Sequence, residues 1–313
     1  MSKRRNFFLF PLIIVSIALT TQLHPGRLLR RSKETQLTNG INFDKQKKEN
    51  LSPLEHDFAL TATNPIPYKQ QKITIKTQDG LVRHGTLTTR SNARGNVVLC
   101  HPAAYDQDFL IPFEEKAFSY YNCIRFDFRR HGQNSKGQTT TLGKKEIYEV
   151  NAAVEHLKNN PQTKKLPIYG FGVSMGAVVL IEAESQKHQF DALILQSPFE
   201  SLREQVKRSF GFFRGPLMHN LIFREPVRLY AKLKYRIRLC KVYPVRSIKN
   251  IHTPILLIHS CDDHIIDIKA YQQLKIAGKH CVKETWTPAT GRHTELFKTY
   301  PDLYTKKCNA FLS

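Results

Sequence analysis

The chain has 313 residues, 41% of them hydrophobic and 24% charged, enough for one large α/β domain or two small ones around a sizeable core. A formal charge of +22 favours acidic partners such as anionic lipid head groups, nucleic acid or acidic substrates, unless it reflects a general basic bias with no dedicated partner. The six cysteines (100, 123, 240, 261, 281 and 308) form no Cys-x-x-Cys and no Cys/His spacing of a zinc site, and the pattern does not read as a disulfide framework. Basic residues concentrate in two regions: residues 1–50 hold ten Lys/Arg against three Asp/Glu, and residues 200–250 hold thirteen against three.

The chain opens with Lys3, Arg4 and Arg5 and then an apolar run from Phe7 to Leu19, broken only by Ser16. Counted on to Leu23 the run is about 17 residues, the short end of what crosses a bilayer. Residues 1–23 are therefore expected to be an uncleaved, single-pass membrane anchor. The alternative is a cleaved signal that leaves a secreted or periplasmic protein, although 18–20 is a loose match to a cleavage site. Lys/Arg flank the run on both sides, so the charge rule does not orient it. Residues 24–66 are polar, rich in Lys, Asn and Thr and without a period, and read as a tether with a short helix near 51–60.

From residue 67 the pattern is that of a folded domain running to 313. Strands are expected at 72–77 and 81–89, joined at Asp79-Gly80, then at 96–101, 122–128, 167–172, 192–199, 254–260 and 282–288. Helices are expected at 108–121, 146–159, 174–187, 268–276 and 302–311. Buried strands alternating with helices imply a mainly parallel sheet covered on both faces. In such sheets, sites form at the carboxyl ends of strands, where His101, Asp127, Ser174, Asp263 and His293 fall.

One stretch dominates. Gly172-Val173-Ser174-Met175-Gly176 joins an apolar strand to a small-residue helix, which is Gly-x-Ser-x-Gly in strand-turn-helix context. A serine at so sharp a turn takes a strained backbone, and glycines two before and two after it make room. The bland alternative is a tight turn with an ordinary serine. A serine hydroxyl is a poor nucleophile unless a base takes its proton, and the base needs a carboxylate to orient it. Downstream come Asp262, Asp263 and His264, then His293, in the order Ser, Asp, His. Ser174, Asp263 and His293 are the expected triad. Asp262 is the rival acid and His264 the rival base, although His264 adjoins the acid too closely to fold back on it.

These motifs resemble those of the α/β-hydrolase superfamily, over about residues 68–313. The resemblance rests on His101-Pro102 after a strand, on Asp127-Phe128-Arg129-Arg130-His131-Gly132, on 172–177, on Ser197-Pro198-Phe199, and on 254–263, whose spacing selects Asp263. The membrane-anchored lipase- and esterase-like hydrolases, related to serine aminopeptidases and acyl-protein thioesterases, look nearest. The resemblance implies the α/β-hydrolase fold with a short helical cap at about 200–250. It also implies hydrolysis of a carboxylic ester or thioester through an acyl-enzyme, with no cofactor and no metal.

Two departures stand out. Pro102 replaces a glycine and removes an N–H, so the oxyanion hole is expected from the Ala103 and Met175 N–H groups. Arg130 replaces another glycine. His101 and Arg129 are expected to hold loops rather than react. The cap is basic and aromatic (Phe210, Phe212, Phe213, Phe223, Tyr230, Tyr235), and its apolar residues either line an acyl pocket or simply pack. The expected substrate is an acyl lipid or acyl protein, with the membrane met through the N-terminal run and the basic surface. Peptide hydrolysis of the aminopeptidase type is the alternative. A non-catalytic module binding membrane or nucleic acid is a second, although no nucleic-acid motif is present.

Overall fold

In four of the strands every side chain is buried and in a fifth all but one, and their alternation sends apolar residues to both faces of the sheet. The computed structural model describes residues 67–134, 139–210 and 242–313. The expected anchor at 1–23, the tether at 24–66 and most of the expected cap lie outside the described residues. No helix among the described residues is long and apolar enough to cross a membrane.

Eight strands form one sheet: β1 (Tyr68–Lys76), β2 (Val82–Arg90), β3 (Asn96–Cys100), β4 (Asn122–Phe126), β5 (Ile168–Val173), β6 (Ala192–Gln196), β7 (Ile255–Ile258) and β8 (Val282–Trp286). Their order is β1-β2-β4-β3-β5-β6-β7-β8. β1 pairs with β2, and β2 with β4, antiparallel; every later pair is parallel. The β1–β2 turn closes at Gly80, whose φ of 80° suits a residue without Cβ. The strands expected to reach 199 and 260 end at Gln196 and Ile258, and Ser197, at φ 51°, turns the chain out of β6.

Period-2 geometry sends Val97, Leu99, Phe171, Ile194 and Leu256 to one face and Val98, Cys100, Leu193, Leu195 and Leu257 to the other. Helices cover the second face: α1 (Ile147–Asn159), α2 (Met175–Glu184) and, farther along, α4 (Ile268–Ala277), after α3 (Leu202–Phe210). The first face is covered by residues 113–121 and by the terminal helix α5 (Pro301–Leu312). α1 turns Ile147, Val150, Val154 and Leu157 inward, the spacing of an amphipathic helix. α2 is buried on all sides, so its two acids need partners. Glu182 accepts from Tyr243 N and Ser247 Oγ, each at 2.9 Å, and Glu184 accepts from Gln189 N at 2.9 Å and from the Thr253 hydroxyl.

The helix expected at 108–121 forms as an unbroken helical segment from 107 to 117, but not as one regular α-helix. A 3-10 turn at Gln107–Leu110 is followed by a wider π turn at Phe113–Ala117, closed by Phe118 N donating to Phe113 O at 2.9 Å. Pro112, between them, has no N–H to carry an α-helical ladder across. The wide turn buries Phe113, Ala117 and Phe118.

A buried ionic cluster fixes the loop after β4. The Arg129 guanidinium donates from Nε and Nη2 to the two Glu149 oxygens, each at 2.9 Å, and from Nη1 to Asp79 at 3.0 Å. Arg83 adds a second cation on Glu149 at 3.0 Å. The cluster joins that loop to α1 and to the β1–β2 turn.

Candidate active site

The turn from β5 into α2 carries Ser174 at φ 56° and ψ −115°, a conformation that non-glycine residues rarely adopt. The surroundings enforce it. A Cβ at Gly172 would lie 2.6 Å from Ala177 N, and one at Gly176 would overlap the Cys100 carbonyl, so only glycine fits at either place. Ser174 N donates to Gln196 O at 2.8 Å, which pins the turn to the end of β6.

The structure brings three of the expected residues into one hydrogen-bonded chain. Ser174 Oγ lies 2.8 Å from His293 Nε2, and His293 Nδ1 lies 2.7 Å from Asp263 Oδ2. Ser174 comes from the β5–α2 turn, Asp263 from the loop after β7 and His293 from the loop after β8. Asp263 Oδ1 also accepts from Ile265 N at 2.9 Å and Ile266 N at 2.8 Å. Burial raises the Asp263 pKa, but the His293 hydrogen bond and charge, with the backbone donor, outweigh it and hold the carboxyl below its ordinary value. An ionised carboxylate only accepts, so His293 Nδ1 carries the hydrogen and Nε2 presents a lone pair to the Ser174 hydroxyl.

The rivals sit elsewhere. His264 Nε2 meets Asp262 Oδ1 at 3.1 Å, both side chains exposed, so those two pair with each other at the surface. Met175 opens α2 and Ala103 lies on the turn after β3; among the described residues neither N–H has a protein acceptor. His101 is fully buried. Its Nδ1 donates to Pro102 O at 2.8 Å and its Nε2 accepts from Phe128 N at 3.0 Å, so the ring is neutral and ties the loop after β3 to the loop after β4. Burial, with the neighbouring His131, drives its pKa well below the ordinary imidazole value. Asp127 accepts from Gln107 N and Gln133 N, each at 2.9 Å, and a Cβ at Gly132 would overlap its carboxylate. Asp127 thus shapes a loop and is not part of the serine chain. Arg130 stands at φ 68°, which accounts for glycine being the easier residue there.

Three residues near the chain gave no strong signal in the sequence. Gln196 ends an apolar strand, and only its polarity after Ala192-Leu193-Ile194-Leu195 marks it. Tyr304 sits within an ordinary terminal helix. His259, fully buried, places Nε2 3.1 Å from Ile266 O and 3.9 Å from Asp263 Oδ2. No group of three or more His, Cys, Asp or Glu that could hold a metal ion occurs among the described residues.

No family model matches the chain. It is 31% identical over 195 residues to the uncharacterized protein YqkD of Bacillus subtilis, covering 61% of this chain and 62% of that protein. It is 28% identical over 208 residues to the uncharacterized protein R595 of Acanthamoeba polyphaga mimivirus, covering 61% and 64%. The chain therefore spans less than two thirds of the length of either relative. Among solved structures it resembles the Pyrococcus furiosus esterase Pf2001, with a TM-score of 0.63 and 24% identity over 78% of this chain and 92% of that one. It also resembles the acylaminoacyl peptidase of Pyrococcus horikoshii, with a TM-score of 0.57 and 18% identity over 78% and 40%. A third likeness is to a putative aryl esterase from Burkholderia cenocepacia, with a TM-score of 0.58 and 13% identity over 77% and 98%. These likenesses are of fold, and the fold is that of the α/β-hydrolases.

Proposed function

We propose that the chain is a serine hydrolase that cleaves a carboxylic ester or thioester through an acyl-enzyme. The observation that carries the reading is the Ser174–His293–Asp263 chain, with contacts of 2.8 and 2.7 Å, built on a serine with strained backbone. Esterases and an acylaminoacyl peptidase among the neighbours in fold support acyl transfer as the reaction class.

In this reading His293 Nε2 accepts the Ser174 proton as Oγ attacks the carbonyl carbon. The Nδ1–H bond to the Asp263 carboxylate fixes the tautomer and offsets the positive charge that forms on the ring. The Ala103 and Met175 N–H groups hold the tetrahedral oxyanion, each worth about 10²–10³ in rate. His293 returns the proton to the leaving group, then takes one from water, whose attack on the acyl carbon frees Ser174. Every step is a proton or acyl transfer among groups of this chain, substrate and water. Residues 1–23 tether the domain to a membrane, on the strength of the apolar run from Phe7 to Leu19, and an acyl lipid or acyl protein is the substrate class in keeping with that location.

The test is turnover of p-nitrophenyl esters of increasing chain length by wild type and by Ser174→Ala, with aminoacyl p-nitroanilides in parallel. The expected result is ester turnover that falls by about 10⁴-fold or more in the variant, with an unchanged circular dichroism spectrum. Equal turnover in both proteins would remove Ser174 from the chemistry.

A further inference from the structure

Gln196 touches both ends of the serine–histidine pair. Its backbone carbonyl accepts from Ser174 N at 2.8 Å, and its side-chain Nε2 donates to the backbone carbonyl of His293 at 3.1 Å. At the other end of the amide, Oε1 accepts from the Tyr304 hydroxyl at 2.7 Å. The amide has one workable orientation. The His293 carbonyl can only accept, so the NH₂ must face it, which turns Oε1 to Tyr304 and makes that hydroxyl the donor. Burial pushes the Tyr304 phenol well above its ordinary pKa, so the O–H is retained. Tyr304 itself is fixed, being fully buried with its ring against Phe113, Trp286 and Phe297 at 5.7, 5.6 and 5.4 Å between centroids. Gln196 is also fully buried, at the end of a strand paired on both sides.

We propose that Gln196, oriented by Tyr304, is a positioning residue that sets the reach of His293 to Ser174. One residue holds the main chain of the nucleophile through its own backbone and the main chain of the base through its side chain. The 2.8 Å contact between Nε2 and Oγ is thereby referred to a single rigid strand end. His293 lies on a loop between β8 and a four-residue helix, Leu296–Thr299, so its position depends on such an external tie. Misplacement of a catalytic group by about 1 Å is enough to lower a rate by about 100-fold. The catalytic consequence rests on the serine hydrolase reading; the geometric one does not.

The test is the double variant Gln196→Met with Tyr304→Phe, which keeps the side-chain shapes and removes the amide and the hydroxyl together, so that only the His293 carbonyl loses a partner, the tie under test. Three quantities are read: kcat and KM on an ester, the melting temperature, and the downfield proton resonance of the His293 Nδ1–H held by Asp263. Expected are a kcat lower by about 10- to 100-fold, a KM little changed, a melting temperature within a few degrees of wild type, and a weakened, upfield-shifted resonance. Should the double variant fail to fold, Tyr304→Phe alone, which frees the amide to turn, is expected to move kcat and the resonance the same way by a smaller factor. An unchanged kcat and resonance in the folded variant would overturn the proposal. If wild type neither turns over an ester nor reacts with a fluorophosphonate, the hydrolase reading fails, and the resonance still decides whether Gln196 positions His293.

Discussion

Gly176 on α2 and Cys100 at the end of β3 meet backbone to backbone, so closely that a single added carbon at Gly176 would overlap the Cys100 carbonyl. The contact sets how near the first turn of α2 comes to the loop that carries Ala103. Gly176→Ala must push the two apart. The expected cost is about 1–3 kcal/mol of stability, with a loss of ester turnover in the molecules that remain folded. Thermal unfolding and turnover below the transition check both; an unperturbed protein would mean that the two backbones have slack.

Asp263 and Asp262 are adjacent in sequence and opposite in consequence. Asp263→Asn removes the acceptor that keeps hydrogen on Nδ1 of His293, and kcat is expected to fall by about 10³–10⁴-fold. Asp262→Asn breaks only the exposed contact with His264, and kcat is expected to stay as in wild type. Steady-state kinetics on the pair decides the assignment, and reversed effects would make Asp262 the acid.

Arg129 is almost wholly buried, with both Glu149 oxygens and Asp79 around its guanidinium. Arg129→Met leaves Glu149 with Arg83 as its one cation, and the expected loss is about 3–5 kcal/mol. Ester turnover per folded molecule should persist at low temperature, because Arg129 reaches no member of the Ser174–His293–Asp263 chain. Denaturant unfolding beside turnover separates the two effects.

Three buried histidines make stability fall on mild acidification. Burial lowers the pKa of His101, His131 and His259 below the ordinary 6.5. The unfolded chain therefore binds more protons than the folded one as pH drops through about 6.5, so stability is complete above that value and declines below it, by at most about 1.4 kcal/mol per pH unit for each histidine. Asp263 acts in a separate, more acid window: its carboxyl is held below 3.8, so the stability it gives is present above that value and is lost as pH falls further. Urea unfolding at about pH 7.5 and 5.5 should show the first effect, and a flat profile would contradict it.

The sequence made the strands and the serine turn easy to read because both rest on local rules. The apolar run into Gly172-Val173-Ser174-Met175-Gly176 leaves few backbones available, and the order of Asp263 and His293 on later loops follows from where strands end. Gln196 and Tyr304 were not legible, because their contact joins positions 108 residues apart and neither residue type is unusual in its element. The helix expected at 108–121 was legible as helical but not in its type, because helical spacing is shared by α, 3-10 and π turns; Pro112, with no N–H, interrupts a regular α ladder there. The anchor and most of the cap remain expectations of the sequence alone.

The central claim is that Ser174 is an activated nucleophile. The most direct measurement is reaction of the folded 313-residue chain with a fluorophosphonate, followed by mass spectrometry of the peptide that carries the label. The account predicts one adduct, on Ser174, formed by wild type, lost in Ser174→Ala and greatly slowed in His293→Ala. A well-folded wild type that takes no label, or one labelled elsewhere and equally in all three proteins, would contradict it.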